Sequence, residues 1–400
     1  MFKFKSDNLK FRLKDLKDFN SHTINKYKLK TNNPIIVRAP GRANIVGEHT
    51  DYNLGYVMPI AIDRDMIVLG SPHENSQVIL YSIDFQDEVS FDINDIKYDT
   101  DHPWANYAKG VIKVFKEKGI SIPSGFTAAI QGNVPIGAGM SSSAAIEVAT
   151  ATFLEEAFNL SLHPKDVALW CVEAENDFVG VNCGIMDQFA SKLSKKDHAL
   201  FIDCRDYSYQ YIPFHINGYK VLLINSKVKR ALFSTEYNIR RAECEKAVSI
   251  LKSLYPDIES LRDVTINHLK DSKGRLDKRL FKRARHVINE NERVITARKA
   301  LEKDDLPKLG HLLVQSHESL RDDYEVSCPE LDFLVETALS IRGVLGGRMM
   351  GGGFGGSTIN IVKEDCLENI TGEIQSNYKK RFDLTPEFYI CDAADGANRI

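Results

Sequence analysis

An α+β protein of two domains is what the sequence predicts, on three observations. The chain has 400 residues with 43% hydrophobic and 27% charged content, ordinary for a globular protein and long enough for two cores. Short β-branched runs crowd its first third and give way to helical patterns. A second strand group opens near residue 219 and is followed mostly by helices, so the division falls into 1–218 and 219–400.

In chain order, the N-terminal MFKFKSDNLKFRLKDLKDFN carries a charge every two or three residues and has no apolar run of signal-peptide length. No later stretch approaches the roughly 20 apolar residues of a membrane span, so a cytoplasmic protein with no membrane partner is expected. Residues 34–38 (PIIVR), 65–70 (DMIVLG) and 78–92 (VILYSIDFQDEVSFD) read as strands, and 104–118, 142–158 and 164–177 as helices. YKVLLINS at 219–226 is the next strand. Helices follow at 236–255 and 277–303, with shorter ones to about 342, and a glycine loop leads into the strand TINIV.

The net charge of −3 leaves no electrostatic footprint for nucleic acid, and the substrate should be small. The basic run from Lys278 to Arg285 is followed by Glu290, Glu292 and Asp304, which marks a solvated helix face. Cys171, Cys183, Cys204, Cys244, Cys328, Cys366 and Cys391 are odd in number and widely spaced, without a CxxC or zinc spacing. They read as reduced thiols, mostly in the core. A monomer is expected.

Residues 132–145, GNVPIGAGMSSSAA, form a glycine turn running into hydroxyl residues and an alanine-rich helix that begins near Ser142. Gly137 and Gly139 can take positive φ, and the orphan N–H groups and positive dipole end of the helix suit phosphate, which suggests a nucleotide triphosphate. Gly132 and Gly137 have Walker A spacing, but Ala138 replaces the lysine. No VAIK, HRD or DFG string exists, so neither a P-loop enzyme nor a protein kinase is indicated. An ordinary helix start capped by serine is the plainer alternative.

Two distant segments join this loop: PGRANIVGEHTDYNLGYVMP at 40–59 and GRMMGGGFGGSTIN at 347–360. Together the three resemble the signature motifs of the GHMP kinases, small-molecule kinases named for galactose, homoserine, mevalonate and phosphomevalonate. GRANIVGEHTDYN is similar to the galactokinase branch in particular, as are CGIMDQF at 183–189, STEYNIRRAECE at 234–245 and SHESLRDDYEVSCPELD at 316–332. The resemblance implies an N-terminal domain like domain 2 of ribosomal protein S5, a ferredoxin-like C-terminal domain, and an active site in the cleft between them. It also implies ATP-dependent phosphorylation of α-D-galactose to galactose 1-phosphate, with Mg²⁺. The alternatives are a kinase for N-acetylgalactosamine or another sugar, and a non-catalytic galactose sensor. Sensors lack the pair that stands here as Ser143 and Ala144.

Several side chains suit such chemistry. Glu48, His49 and Asp51 supply acceptors for sugar hydroxyls within a turn marked by Gly47, Asn53 and Gly55, and the resemblance assigns all three to the sugar. Asp187 is an acid between Ile185, Met186 and Phe189 that needs a partner, for which Arg42 is expected. The resemblance makes Asp187 the acid-base residue and Arg42 its neighbour, both beside the sugar. Gly137, Gly139, Ser141 and Ser142 are assigned to the nucleotide. Ser142 with Glu175 is assigned to the metal, Glu173 being the competitor two residues away on the same helix. Tyr237 resembles a sugar-contacting tyrosine, and Lys229 falls near the nucleotide where relatives often carry arginine. GGGFGG at 351–356 satisfies GxGxxG, but a strand follows it where a dinucleotide fingerprint needs a helix.

Overall fold

The structure, a computed structural model, describes residues 9–27, 29, 34–228 and 233–400. Helix α1 (Leu9–Tyr27) precedes strands β1 (Ile35–Val46), β2 (Tyr56–Pro72), β3 (Gln77–Ser82) and β4 (Asp87–Asp92). Then come α2 (Ala105–Glu117), β5 (Phe126–Gly132), α3 (Ser142–Ala157), α4 (Pro164–Glu173), α5 (Met186–Leu193), β6 (His198–Asp203) and β7 (Ser208–Pro213). The C-terminal part runs β8 (Tyr219–Asn225), α6 (Phe233–Lys252), α7 (Ile266–Asp271), α8 (Lys278–Leu301), α9 (Leu306–Ser319), α10 (Pro329–Ser340), β9 (Val344–Met350), β10 (Ser357–Lys363), α11 (Leu367–Phe382), β11 (Glu387–Cys391) and β12 (Asn398–Arg399).

The first sheet orders its strands β12-β1-β2-β5-β3-β4, with β6 and β7 attached at the start of β2; only the β3–β5 pair is parallel. β1 is longer than its apolar run because register shifts between Pro40 and Arg42, and again between Asn44 and Val46, let it continue beside β2. Pro40 lacks an N–H and needs such an irregularity to sit inside a sheet. On one face α2 and α3 close the main core around Val68, Ile112, Ala149 and Phe153. On the other, Leu16 of α1 packs against Ile67, Leu69 and Ala129, and Arg12 donates to Asp65 Oδ1 (2.6 Å) and to the carbonyl of Gln131 (3.0 Å). That ion pair is buried, so removing either partner would strand a charge.

The second sheet, β11-β8-β10-β9, is antiparallel throughout. Its central strand β8 reads as a continuous apolar run because both faces are covered. Leu222 and Ile224 join Leu334, Ile370 and Ile374 of α10 and α11, while Val221 and Leu223 join the main core with Leu309 and Leu313 of α9. Strand β12 brings the C-terminus back beside β1.

The basic stretch of α8 departs only in part from the expected solvated face: Lys278 and Arg279 are exposed, but Arg283 is not. Arg283 is 2% exposed and donates to Glu243, Glu325 and the carbonyl of Asp323, while Arg285 pairs with Asp323. These residues tie α8 to α6 and to the turn after α9. All seven cysteines are free thiols, four of them buried. No described helix is long and apolar enough to cross a membrane.

Candidate active site

Strand β5 ends at Gly132, and the glycine loop then delivers the chain to the N-terminus of α3 at Ser142, as the composition predicts. Gly137 and Gly139 take φ of 75° and 78°, and Ser141 takes φ 59°, unusual for a residue with a side chain. Ser141 stands at the N-cap position yet makes no capping hydrogen bond. Its hydroxyl donates instead to Asp187 Oδ2, which departs from the plain capping-serine reading and leaves the first N–H groups of α3 without a cap from this side chain. Ser357 fixes the loop from the second sheet by donating to the carbonyl of Ala138 (2.6 Å).

Arg42 and Asp187, 145 residues apart, form a bidentate pair: Nε to Oδ1 at 2.8 Å and Nη2 to Oδ2 at 2.9 Å. Arg42 also donates from Nη1 to the carbonyl of Gly139 (2.6 Å). The guanidinium therefore fixes the carboxylate and the glycine loop at once, as a planar fork can and an ammonium cannot. Arg42 is 6% exposed against 24% for Asp187, so the acid is the more accessible end of the pair.

The turn after β1 holds the other acids. Glu48 is buried, and its Oε1 accepts from Arg348 Nη1 (2.9 Å) and the Gly351 N–H (2.8 Å), which joins the first motif to the third. His49 lies at φ 61° with Nδ1 2.7 Å from the Tyr52 hydroxyl, and burial, then His286 and Arg240, hold its pKa well below the usual value. Tyr237 of α6 is half-buried, its ring 5.6 Å from that of His49 and 5.2 Å from that of Tyr52. Asp51 opens a short helical turn, and burial, then the charge of Asp187, raise its pKa to about 7. Gly184 is the close neighbour of Asp51: a Cβ there would lie 1.9 Å from Asp51 Oδ2, so only glycine lets the CGIMDQF segment pass over this acid.

Glu175 lies in the helical turn after α4, on the side of Asp187. Burial, then Asp187, raise its pKa, against donation from Cys183, Ser143 and Gln188. Gln188 Nε2 donates to Glu175 Oε2 (2.6 Å) and to Glu147 Oε2 (2.9 Å), so one amide bridges two buried acids. Ser142 is half-buried at the first position of α3, and the loop serine donating toward Glu175 is the next one, Ser143. Glu173 points away and pairs with Lys118 at 2.7 Å on the surface. Among the described residues no group of three or more metal-ligating side chains gathers. The GGGFGG loop is the hairpin between β9 and β10, strand to strand. Lys229 lies outside the described residues.

Known proteins resemble this chain in sequence and fold. Residues 25–72 match the galactokinase galactose-binding signature, 106–195 the GHMP kinases N terminal domain, and 297–380 the GHMP kinases C terminal family. The galactokinase of Clostridium beijerinckii is 43% identical over 365 residues, 90% of this chain and 94% of the relative. The galactokinase of Thermosipho africanus is 44% identical over 364 residues, 91% and 99% of the two chains. The chain belongs to the galactokinase family. Among solved structures, Lactococcus lactis galactokinase complexed with galactose superposes with a TM-score of 0.91 at 35% identity, covering 96% of this chain and 99% of that one. Methanococcus jannaschii mevalonate kinase, at 19% identity and a TM-score of 0.64 over 91% and 99% of the chains, shares the fold alone. The two-domain GHMP kinase fold expected from the motifs is thus the fold of this galactokinase family member.

Four residues that the sequence reading did not single out complete this site in the family member. Arg348 pairs with Glu48, Tyr324 hydrogen-bonds Tyr52 (2.8 Å between hydroxyls), Gln188 bridges Glu147 and Glu175, and Glu147 lies behind them. Arg348 and Gln188 stand inside quoted motifs, GRMM and MDQF, where the neighbouring glycines and acid drew the reading. Glu147 had a signal as well, being an acid on the apolar face of an alanine-rich helix.

Proposed function

We propose that the protein transfers the γ-phosphoryl group of ATP to the anomeric hydroxyl of α-D-galactose, giving galactose 1-phosphate and ADP. The observation that carries this reading is the Asp187 carboxylate, fixed by Arg42 and Ser141 between the glycine loop and Asp51. In this reading the sugar hydroxyl gives its proton to Asp187 as its oxygen bonds to the γ-phosphorus and the bond to the ADP oxygen breaks. Arg42 offsets the negative charge on the phosphoryl oxygens. The loop around Gly137 and Gly139, with Ser141 and Ser142 at the start of α3, cradles the triphosphate. Glu48, His49, Asp51 and Tyr237 orient the sugar, a role supported by the galactose-binding signature over residues 25–72.

Glu175 with Ser142 would hold Mg²⁺. The donors are hard oxygens, and Glu175 is a buried acid whose ionised form a cation would favour. When bound, the ion neutralises charge on the phosphates; the scarcity of protein ligands suits an ion that keeps waters and phosphate oxygens. Glu175→Gln should raise the Mg²⁺ concentration for half-maximal rate by roughly tenfold or more, since second-rank ligand changes alone cost that much. An unchanged metal titration would move the ligand elsewhere.

A sugar panel with Mg-ATP tests the whole reading: ADP release is expected with galactose, and its absence despite sugar binding would make the protein a sensor. A pH titration tests Asp51. An ionised carboxylate accepts from hydroxyls on both oxygens with the strength of a charged acceptor, whereas protonation turns one oxygen into a donor, so sugar binding favours ionised Asp51. With a free-protein pKa of about 7, galactose Kd should fall roughly tenfold from pH 6 to pH 8 as the ionised fraction rises. In Asp51→Asn that slope should disappear, and a slope that survives would assign it to another group.

A further inference from the structure

Resting on the reading of residues 47–55 as the sugar-holding turn, we propose that one face of α8, with His286, Glu290 and Asn291, positions that turn, making these three positioning residues for galactose. The turn belongs to the first domain, but its backbone is held from the second. Glu290 is wholly buried, and its Oε1 accepts from the N–H groups of Gly47 (3.0 Å) and Glu48 (3.3 Å) and from the Ser316 hydroxyl of α9 (2.7 Å). Its Oε2 accepts from Arg293 Nε at 2.6 Å. His286 Nε2 lies 3.1 Å from the Glu48 carbonyl, which can only accept, so the proton is on Nε2. Nδ1 then accepts from the Ser319 hydroxyl (2.9 Å). Asn291 Oδ1 takes the N–H of Tyr56 (2.8 Å) at the far end, while its amide is tied to the Val287 carbonyl (3.0 Å).

Three side chains within six positions of one helix thus satisfy donors and acceptors at both ends of a ten-residue stretch that carries Glu48, His49 and Asp51. Sterics enforce the same contact. A Cβ on Gly47 would meet Val294 Cγ2 at 2.9 Å, and one on Gly55 would meet Asn291 Oδ1 at 2.4 Å. The charge states are also set for the task. Burial lowers the pKa of His286 to about 4, which keeps it neutral, while the charges of Arg293 and Arg348 and the hydrogen bond from Ser316 outweigh burial to hold Glu290 at about 2. An ionised acceptor and a neutral donor are what two amides and a carbonyl need. A turn anchored only by its own hydrogen bonds would place its side chains less firmly, and a small displacement at a binding turn costs affinity steeply.

Glu290→Gln replaces one acceptor oxygen with a donor and leaves Arg293 without its anion. The expected result is faster amide hydrogen exchange confined to residues 47–56, with galactose KM raised by roughly tenfold to a hundredfold and KM for Mg-ATP within about twofold. Asn291→Ala loosens only the Tyr56 end and should give a smaller change of the same pattern, which keeps the test open if Glu290→Gln does not fold. Exchange raised uniformly across the chain with galactose KM unchanged would overturn the inference, because α8 would then be a stabilising element only. Faster exchange at 47–56 combined with unaltered galactose binding in Asp51→Ala would also overturn it, in that case through failure of the sugar-turn reading.

Discussion

Asp187→Asn is expected to lower kcat by roughly 10²-fold or more while galactose affinity changes far less. The amide keeps the shape and still offers one oxygen to Arg42, but it cannot accept the proton of the attacking hydroxyl. It also turns an NH₂ group toward a guanidinium or toward Ser141, both of which donate to the carboxylate. One of the two parallel Arg42 bonds is lost, and the contact from Arg42 to Gly139 then holds the arginine with less help. Some of the rate loss therefore comes from the loop, and Arg42→Lys measures that share: lysine keeps the charge but cannot hold Asp187 and Gly139 together. Steady-state kcat, with a galactose titration on each variant, separates the two contributions. A kcat for Asp187→Asn near that of the parent would remove the carboxylate from the proton-transfer role.

Much of this centre was legible because its chemistry is written in side chains of unusual type for their place. An acid among Ile185, Met186 and Phe189 demands a cation, and Arg42 meets it. Glycines followed by serines and alanines demand a turn into a helix, and α3 begins at Ser142. What stayed hidden depends on tertiary burial. The stripe of α1 that faces the sheet is Arg12, Leu16, Asn20 and Thr23, helical in spacing but too polar for a hydrophobic pattern to reveal. β1 runs on through Pro40 and Gly41, which read as breakers, because bulges and pairing with β2 override the local preference. Glu290 looked like one more charge on a solvated helix, and only the fold shows it accepting from the sugar turn. Charges that bind backbone leave no partner residue in the sequence to suggest the pairing.

Arg348→Met is expected to destabilise the fold by about 3–5 kcal/mol, the cost of leaving one member of a buried ion pair uncompensated. Arg348 is wholly buried, and Glu48 is 2% exposed. Besides Glu48, the guanidinium donates to the carbonyls of Ile45 (2.8 Å), Met349 (2.7 Å) and Asn44. Methionine matches the length of the stem but supplies none of these donors, so three carbonyls lose a bond while the Glu48 charge keeps only the Gly351 N–H on Oε1. Glu48→Gln leaves Arg348 its three carbonyls and should cost less. If the penalty comes from the stranded charge, the double variant Glu48→Gln/Arg348→Met should recover part of the single-variant loss, a coupling that a double-mutant cycle in urea measures directly. Because β1 and β9 lie in different sheets and meet at this guanidinium, the same variant should loosen the first motif against the third, and galactose KM should rise with the fall in stability. An Arg348→Met protein within about 1 kcal/mol of the parent would mean that the pair contributes geometry and little energy.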